Sequence, residues 1–150
     1  MTAREFVSVS EDETRALGRR LGENLTGGLC VLLYGDLGAG KTVFVRGVGD
    51  ALGVSGVRSP SFTLINEYPS PSGLLVAHAD LYRLDDAGAL GLEEYAGAED
   101  CVLFVEWPER WKNPPVDGVL NVRFEAVSEN ERKVSFCAYG SLAEGVLVKL

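Results

Sequence analysis

The chain has one histidine, one methionine and three cysteines in 150 residues, and it is short of positive charge: 14 lysines and arginines stand against 22 aspartates and glutamates, a formal net charge of -8 at pH 7. Each shortage excludes something. Cys30, Cys101 and Cys137 are odd in number and scattered, so neither a disulfide partner nor a zinc site is expected of them. Cys30 and Cys101 lie in or beside apolar runs and read as reduced core residues. That usage points to the cytoplasm. The lone His78 lacks a conventional triad or metal partner in the sequence and reads as a packed, hydrogen-bonded strand residue. The acid excess argues against a broad electrostatic grip on nucleic acid. It leaves room for a small basic patch or for contact through a partner. No apolar run approaches the length of a membrane span, so no membrane association is expected. Met1 to Ser10 has neither the basic nor the apolar region of a secretion signal. No repeat, low-complexity tract or linker interrupts the chain, which reads as one domain over 1–150.

What is present centres on Gly35-Asp36-Leu37-Gly38-Ala39-Gly40-Lys41-Thr42, a match to G-x-x-x-x-G-K-[ST], the Walker A phosphate loop. Its context fits. The apolar run Leu29 to Tyr34 predicts a buried strand before it, and Phe44, Val48 and Leu52, four apart, predict a helix after it over Val43 to Leu52. Glycines let the backbone wrap closely enough to aim N–H groups at phosphate oxygens, and the following helix adds its N-terminal dipole. Lys41 can reach the outer phosphates and Thr42 can hold Mg²⁺ through its hydroxyl.

The rest reads as an α/β alternation. Glu5 to Val9 predicts a short strand, with Phe6 and Val7 turned inward. Ser10 to Glu13 is a capping box opening a helix to about Leu25, with Leu17, Leu21 and Leu25 on one stripe. Gly18 and Gly22 weaken that helix but permit close packing. Gly53 caps the second helix. Phe62 to Tyr68 and Leu74 to Leu81 predict a hairpin across Pro69 to Gly73. On its second strand Val76, His78, Asp80 and Tyr82 share one face, and Leu75, Ala77, Ala79 and Leu81 the other. One or two short helices are expected over Asp85 to Tyr95. Cys101 to Val105, ending in Glu106, predicts a central buried strand. A short helical or irregular piece from Pro108, late strands over Val119 to Glu125 and Lys133 to Tyr139, and a terminal helix from Ser141 complete the reading.

A phosphate site also needs carboxylates to position metal and water, and in open α/β sheets they gather at the carboxyl ends of strands. Glu106 fits as the acid of a Walker B element; the alternative is a solvated acid just past a strand. Asp80 fits as a second acid; the alternative is an ion pair with Arg83 or Arg58. Ser59, Ser61 and Thr63 can contact a γ-phosphate or metal as a switch loop does, or serve only turn and strand. Trp107 packs on the nucleotide or on the core.

Together, Gly35 to Thr42, Ser59-Pro60-Ser61-Phe62-Thr63-Leu64, His78-Ala79-Asp80-Leu81-Tyr82-Arg83-Leu84 and Val105-Glu106-Trp107 closely resemble the TsaE (YjeE) ATPase family of bacterial tRNA threonylcarbamoyladenosine biosynthesis. The motifs from Tyr34 to Trp107 are specific; the tail after Pro108 matches in general pattern. The resemblance implies a P-loop NTPase-like three-layer α/β fold, with a mixed, mainly parallel sheet flanked by helices. It implies ATP and Mg²⁺ as cofactors, slow hydrolysis, and a nucleotide held by Gly35, Leu37, Gly38, Ala39, Gly40, Lys41 and Thr42. Thr42 and Glu106 would hold the metal, and Asp80 the metal or attacking water. Lys41 and Thr63 would join the catalytic set, Trp107 would lie near the nucleotide, and Ser10 and Glu11 near the adenine. It implies TsaD and TsaB as partners, with tRNA met only through them and ATP turnover resetting their complex. The family usually has threonine where this chain has Ser61; the hydroxyl is kept and a methyl lost.

The competing enzyme class is a small-molecule or nucleoside kinase. Such a kinase usually needs an arginine-bearing lid, and between Asp85 and Lys112 only Arg110 and Lys112 are basic. A binding module with a vestigial phosphate site is the third reading, and the intact set Lys41, Thr42, Asp80 and Glu106 argues against it.

Overall fold

Residues 2–36, 38–60, 63–84 and 91–150 are described by a computed structural model. The apolar run before the phosphate loop is β2 (Cys30–Tyr34), and the helix after it is α2 (Lys41–Leu52). Around them the chain forms β1 (Thr2–Ser8), α1 (Glu11–Gly22), β3 (Ile65–Pro69), β4 (Leu75–Asp80), α3 (Leu92–Ala96), β5 (Cys101–Glu106), β6 (Val119–Ala126), β7 (Arg132–Tyr139) and α4 (Ser141–Leu147). The seven strands make one sheet in the order β1-β7-β6-β2-β5-β4-β3. The four inner strands β6, β2, β5 and β4 run parallel, and the outer pairings, β1 with β7, β7 with β6, and β4 with β3, are antiparallel. This is the mixed α/β sheet expected.

Period-two alternation divides the core between the two faces of the sheet. Val76, Phe104, Val31, Leu33 and Phe136 pack with Leu17 and Leu21 of α1, Phe44 and Val48 of α2 and Leu147 of α4. Ala77, Ala79, Leu103 and Leu32 pack on the other face with Leu92 of α3 and with Trp111. Helices therefore cover both faces. Cys30 and Cys101 are buried thiols; desolvation pushes Cys30 up to about 12 and Cys101 up to about 11. Both stay protonated at neutral pH, and the three cysteines are free. Among the described residues no helix is long and apolar enough to cross a membrane.

Local chemistry sets the element ends. The Ser10 hydroxyl accepts the Glu13 N–H at 3.1 Å, and Glu13 Oε1 reaches back to accept the Val9 N–H at 3.0 Å. The cap starts α1 as predicted. The helix stops at Gly22, not near Leu25, because Asn24 folds back: its side chain donates to Arg20 O at 2.8 Å and its N–H to Leu21 O. Phe6 faces the core, which obliges Val7 to face out, and Val7 is 61% exposed. The two cannot both point inward on a pleated strand. The hairpin is present, but its first strand begins later than predicted. Leu64 has a left-handed backbone, φ 70°, and its N–H donates to Pro60 O at 2.8 Å, so Thr63 and Leu64 belong to a turn and the strand starts at Ile65. Phe62 lies outside the described residues, as do 85–90 of the one or two short helices predicted over Asp85 to Tyr95; the later part of that stretch is α3.

Helices α1 and α2 approach through glycine. A Cβ on Gly18 would meet the Phe44 carbonyl oxygen at 2.0 Å, and one on Gly47 would meet the Arg15 carbonyl oxygen at 1.9 Å. The close packing expected at Gly18 is therefore made against the helix of the phosphate loop. Arg15 and Asp50 then clamp the pair with two hydrogen bonds, 2.6 and 2.9 Å. Gly18→Ala is expected to force the helices apart and cost about 1–3 kcal/mol, the usual range for overpacking. Gly145→Ala, on α4 with open space around its Cβ, should be neutral or stabilising by up to about 1 kcal/mol. Urea denaturation of the two variants checks this, and equal shifts would remove the close-packing account.

Candidate functional site

The sheet order brings the carboxyl ends of β2, β5 and β4 side by side. The loop after β2 is thus flanked directly by the acid that ends β5 and the acid that ends β4. Asp80 and Glu106 are register partners in the parallel ladder, and each is 5% exposed. Lys41, at the first position of α2, is 4% exposed. One cleft of about 260 Å³ is lined by Glu11, Gly38, Gly40, Lys41, Thr42, Val43, Ser59, Asp80 and Glu106. The loop turns into α2 through Gly40, whose φ of 104° an L side chain rarely adopts. Among the described residues no side chain caps α2 there, which leaves its first N–H groups without partners inside the helix.

The Lys41 ammonium donates to Gly35 O at 2.6 Å and lies 4.5 Å from the centroid of the Trp107 ring. Burial pulls its pKa below the usual lysine value, and the nearby acids oppose that pull, Glu106 most, then Asp80. Trp107 holds a left-handed backbone, φ 57°, where the chain leaves β5 for a single 3-10 turn over Pro108–Arg110. Its ring packs on Tyr82 with centroids 4.9 Å apart. The Asp80 carboxylate accepts the Tyr82 N–H at 2.9 Å, and Glu106 O accepts the Leu81 N–H at 3.1 Å, so the two strand ends are tied together.

The oxygen donors Thr42, Asp80 and Glu106 are hard ligands, which suits Mg²⁺. Among the described residues no group of three or more His, Cys, Asp or Glu could hold a metal alone. The residues present therefore fit a magnesium ion completed by water and phosphate oxygens, the usual way this metal is bound.

Most of the predicted site residues meet. Glu11, Gly38, Gly40, Lys41, Thr42, Asp80 and Glu106 line the cleft, Gly35 and Trp107 bracket the Lys41 ammonium, and Ala39 is buried at 5% within the loop. Glu11 also lines a smaller hollow of about 150 Å³ against the same loop, with Ser10 and Thr14. Thr63 stands apart: it is exposed, its hydroxyl donates to Asn66 Oδ1 at 2.7 Å, and it does not line the cleft. Leu37 and Ser61 lie outside the described residues.

Two features escaped the sequence. Asn130 and Arg132, at the β6–β7 turn, line the hollow beside Glu11. Only the adjacency of β6 to β2 places that turn by the loop. His78, fully buried, meets Glu106: Nε2 and Oε2 are 2.6 Å apart. Alternation put His78 and Asp80 on one face, but the β4–β5 pairing was needed to bring Glu106 there. A larger hollow, about 480 Å³, opens at the opposite ends of the strands beside Gly28, Trp111 and Gly118. It has no phosphate cradle, and the strand-end rule favours the loop side.

Residues 8–134 match the family model described as "Threonylcarbamoyl adenosine biosynthesis protein TsaE". The chain is 42% identical over 134 residues to the tRNA threonylcarbamoyladenosine biosynthesis protein TsaE of Aquifex aeolicus, covering 87% of this chain and 93% of that one. To the protein of the same name from Bacillus subtilis it is 34% identical over 139 residues, covering 91% and 87%. A crystal structure of YdiB from Bacillus subtilis superimposes with a TM-score of 0.80 at 30% identity, covering 99% of this chain and 93% of that one. With the Gly35–Thr42 loop beside Asp80 and Glu106 and a family match spanning most of its length, the chain belongs to the TsaE family of threonylcarbamoyl adenosine biosynthesis proteins.

Proposed function

We propose that the chain is a slow, magnesium-dependent ATPase serving tRNA threonylcarbamoyladenosine formation, with TsaD and TsaB as partners whose complex it resets between cycles. The observation that carries this reading is the convergence of Lys41, Thr42, Asp80 and Glu106 on one cleft at the Gly35–Thr42 loop. The family membership supplies the pathway. Backbone N–H groups from Gly38 to Thr42 would receive the phosphates. The Lys41 ammonium would exchange the neutral Gly35 carbonyl for a phosphate oxygen. Thr42 and Glu106 would hold magnesium, which when bound offsets charge on the phosphate oxygens. Asp80 would orient the metal or the attacking water. Glu11, which lines both the cleft and the smaller hollow at the loop, would face the nucleoside, and Trp107 would wall the lysine side. Thr63 would reach the cleft only if the turn around Leu64 closed. The tRNA would be met through the partner complex.

Lys41→Met is expected to lower ATP affinity about 10–100-fold, the worth of one charge-assisted contact, as read by calorimetry. Glu106→Ala should reduce magnesium-dependent hydrolysis more than it reduces the urea midpoint. In reconstituted tRNA threonylcarbamoylation, multiple turnover should depend on this chain and on ATP. Product formation indifferent to the chain, or rapid phosphate transfer to a nucleoside or metabolite, would overturn the reading.

Burial of Lys41 also predicts a pH dependence. Its folded pKa lies below the ordinary 10.5, so between the two values the unfolded chain binds more protons than the folded one. Stability of the nucleotide-free protein, measured relative to Lys41→Met, should therefore rise with pH across that alkaline window. Paired urea melts through the window check it. A difference that stays flat would mean that desolvation does not govern the lysine.

A further inference from the structure

His78 is 0% exposed on β4, between the core and the cleft. On its own face the preceding side chain is Val76, in the core, and the following one is Asp80, at the cleft. Its register partner on β5 is Phe104, also in the core. Packing alone would be met by a leucine or phenylalanine. An imidazole in this place carries a polar cost, and among the described residues its Nδ1 has no hydrogen-bond partner. What it gains is one contact: Nε2 lies 2.6 Å from Glu106 Oε2, one rung further along the neighbouring strand. In the tautomer that carries its proton on Nε2, the imidazole donates and the carboxylate accepts. A contact this short to a charged group is among the stronger kinds of hydrogen bond.

We propose that His78 is a positioning residue, which holds the Glu106 carboxylate by Oε2 so that Oε1 is presented to the cleft beside Thr42 and Asp80. This rests on the reading of Glu106 as a magnesium partner. A glutamate has three side-chain torsions, and a carboxylate released by His78 can turn to the cation that lines the same cleft. That cation is Lys41, on which Glu106 exerts the strongest pull among the surrounding acids. Without His78, Glu106 turns toward the Lys41 ammonium, and one rearrangement withdraws the metal ligand and blocks the phosphate-binding lysine. The strand pairing supports the assignment. Asp80, the other acid at the rung, has its own anchor in the Tyr82 N–H, so each carboxylate of the pair is fixed by a donor on the Asp80 side of the sheet.

The test is the gain in ATP affinity produced by magnesium, measured by calorimetry with Mg²⁺ and with EDTA, for the full chain and three variants. His78→Leu should lose about 10-fold of that gain, the worth of one charge-assisted hydrogen bond. His78→Gln carries an N–H at nearly the reach of Nε2 and should restore most of it. Glu106→Ala should lose the gain as well. A purely structural role would instead lower both affinities together with the melting temperature, and leucine, suited to the apolar surroundings, would do no worse than glutamine. The wild-type gain retained in His78→Leu, beside a loss in Glu106→Ala, would overturn the positioning role alone. The gain retained in Glu106→Ala would overturn the magnesium reading itself. Should His78→Leu not fold, His78→Asn replaces it: asparagine is too short to reach Oε2, and equal behaviour of the Asn and Gln variants would overturn the proposal.

Discussion

Parallel pairing of β2 with β5 and of β5 with β4 is the constraint on which the rest depends. Parallel strands end at the same edge, so three chain segments far apart in sequence deliver their terminal side chains to one place. At that edge β2 runs into Gly35, β4 ends in Asp80 and β5 ends in Glu106. A shift of one residue in the β4–β5 register would turn His78 and Asp80 to the other face, toward Leu103 and Val105 of β5, and Ala77 and Ala79 to this one. The apolar alternation that stabilises the sheet is thus the same pattern that aims the acids. Core and site cannot be specified separately here.

The cleft is assembled against electrostatic resistance. Lys41 is a nearly buried cation whose charge desolvation disfavours, and Asp80 and Glu106 are nearly buried acids within its influence. None of the three would be placed there for stability, because buried charges usually cost more than their attraction returns. The surrounding structure offsets part of that cost with specific contacts: the Gly35 carbonyl and the Trp107 ring for Lys41, the Tyr82 N–H for Asp80, and His78 for Glu106. The glycine-mediated contact of α1 with α2 keeps the loop helix rigidly placed while these opposing terms balance.

What could be read in advance follows from how local each signal is. The Gly35–Thr42 loop, its flanking strand and helix, the Ser10 cap and the apolar stripe of α1 are set by residues within a few positions of one another, and they appear where periodicity and capping chemistry put them. Glu106 and Asp80 were legible because an acid closing an apolar run is also a local signal. The His78–Glu106 contact was not: it exists only once β4 lies beside β5 in a particular register. Arg132 enters the loop region for the same kind of reason, through the adjacency of β6 and β2. Thr63 lies apart from the cleft lining for a different reason. Its neighbours Phe62 to Tyr68 have strand composition, but the left-handed turn at Leu64, closed by the Pro60 carbonyl, overrides that preference and directs the Thr63 hydroxyl to Asn66.

Trp107 shows how far local backbone preference yields to the site. A left-handed conformation at a bulky residue costs on the order of 1 kcal/mol or more, and glycine would adopt it freely. Glycine, however, has no ring to cover the Lys41 ammonium or to stack on Tyr82. The strain lies one residue beyond Glu106, where the strand must stop and the following Pro108 begins a tight turn. Strained backbone and desolvated cation therefore meet at a single point. The lysine is held by a neutral carbonyl and the face of an aromatic ring, both weaker partners than a full anion. The low-dielectric surroundings that make the unliganded lysine costly also strengthen its attraction to a phosphate oxygen. On the proposed reading, a phosphate oxygen would take over from these weaker partners, and the difference between the two arrangements is what a nucleotide-driven switch requires.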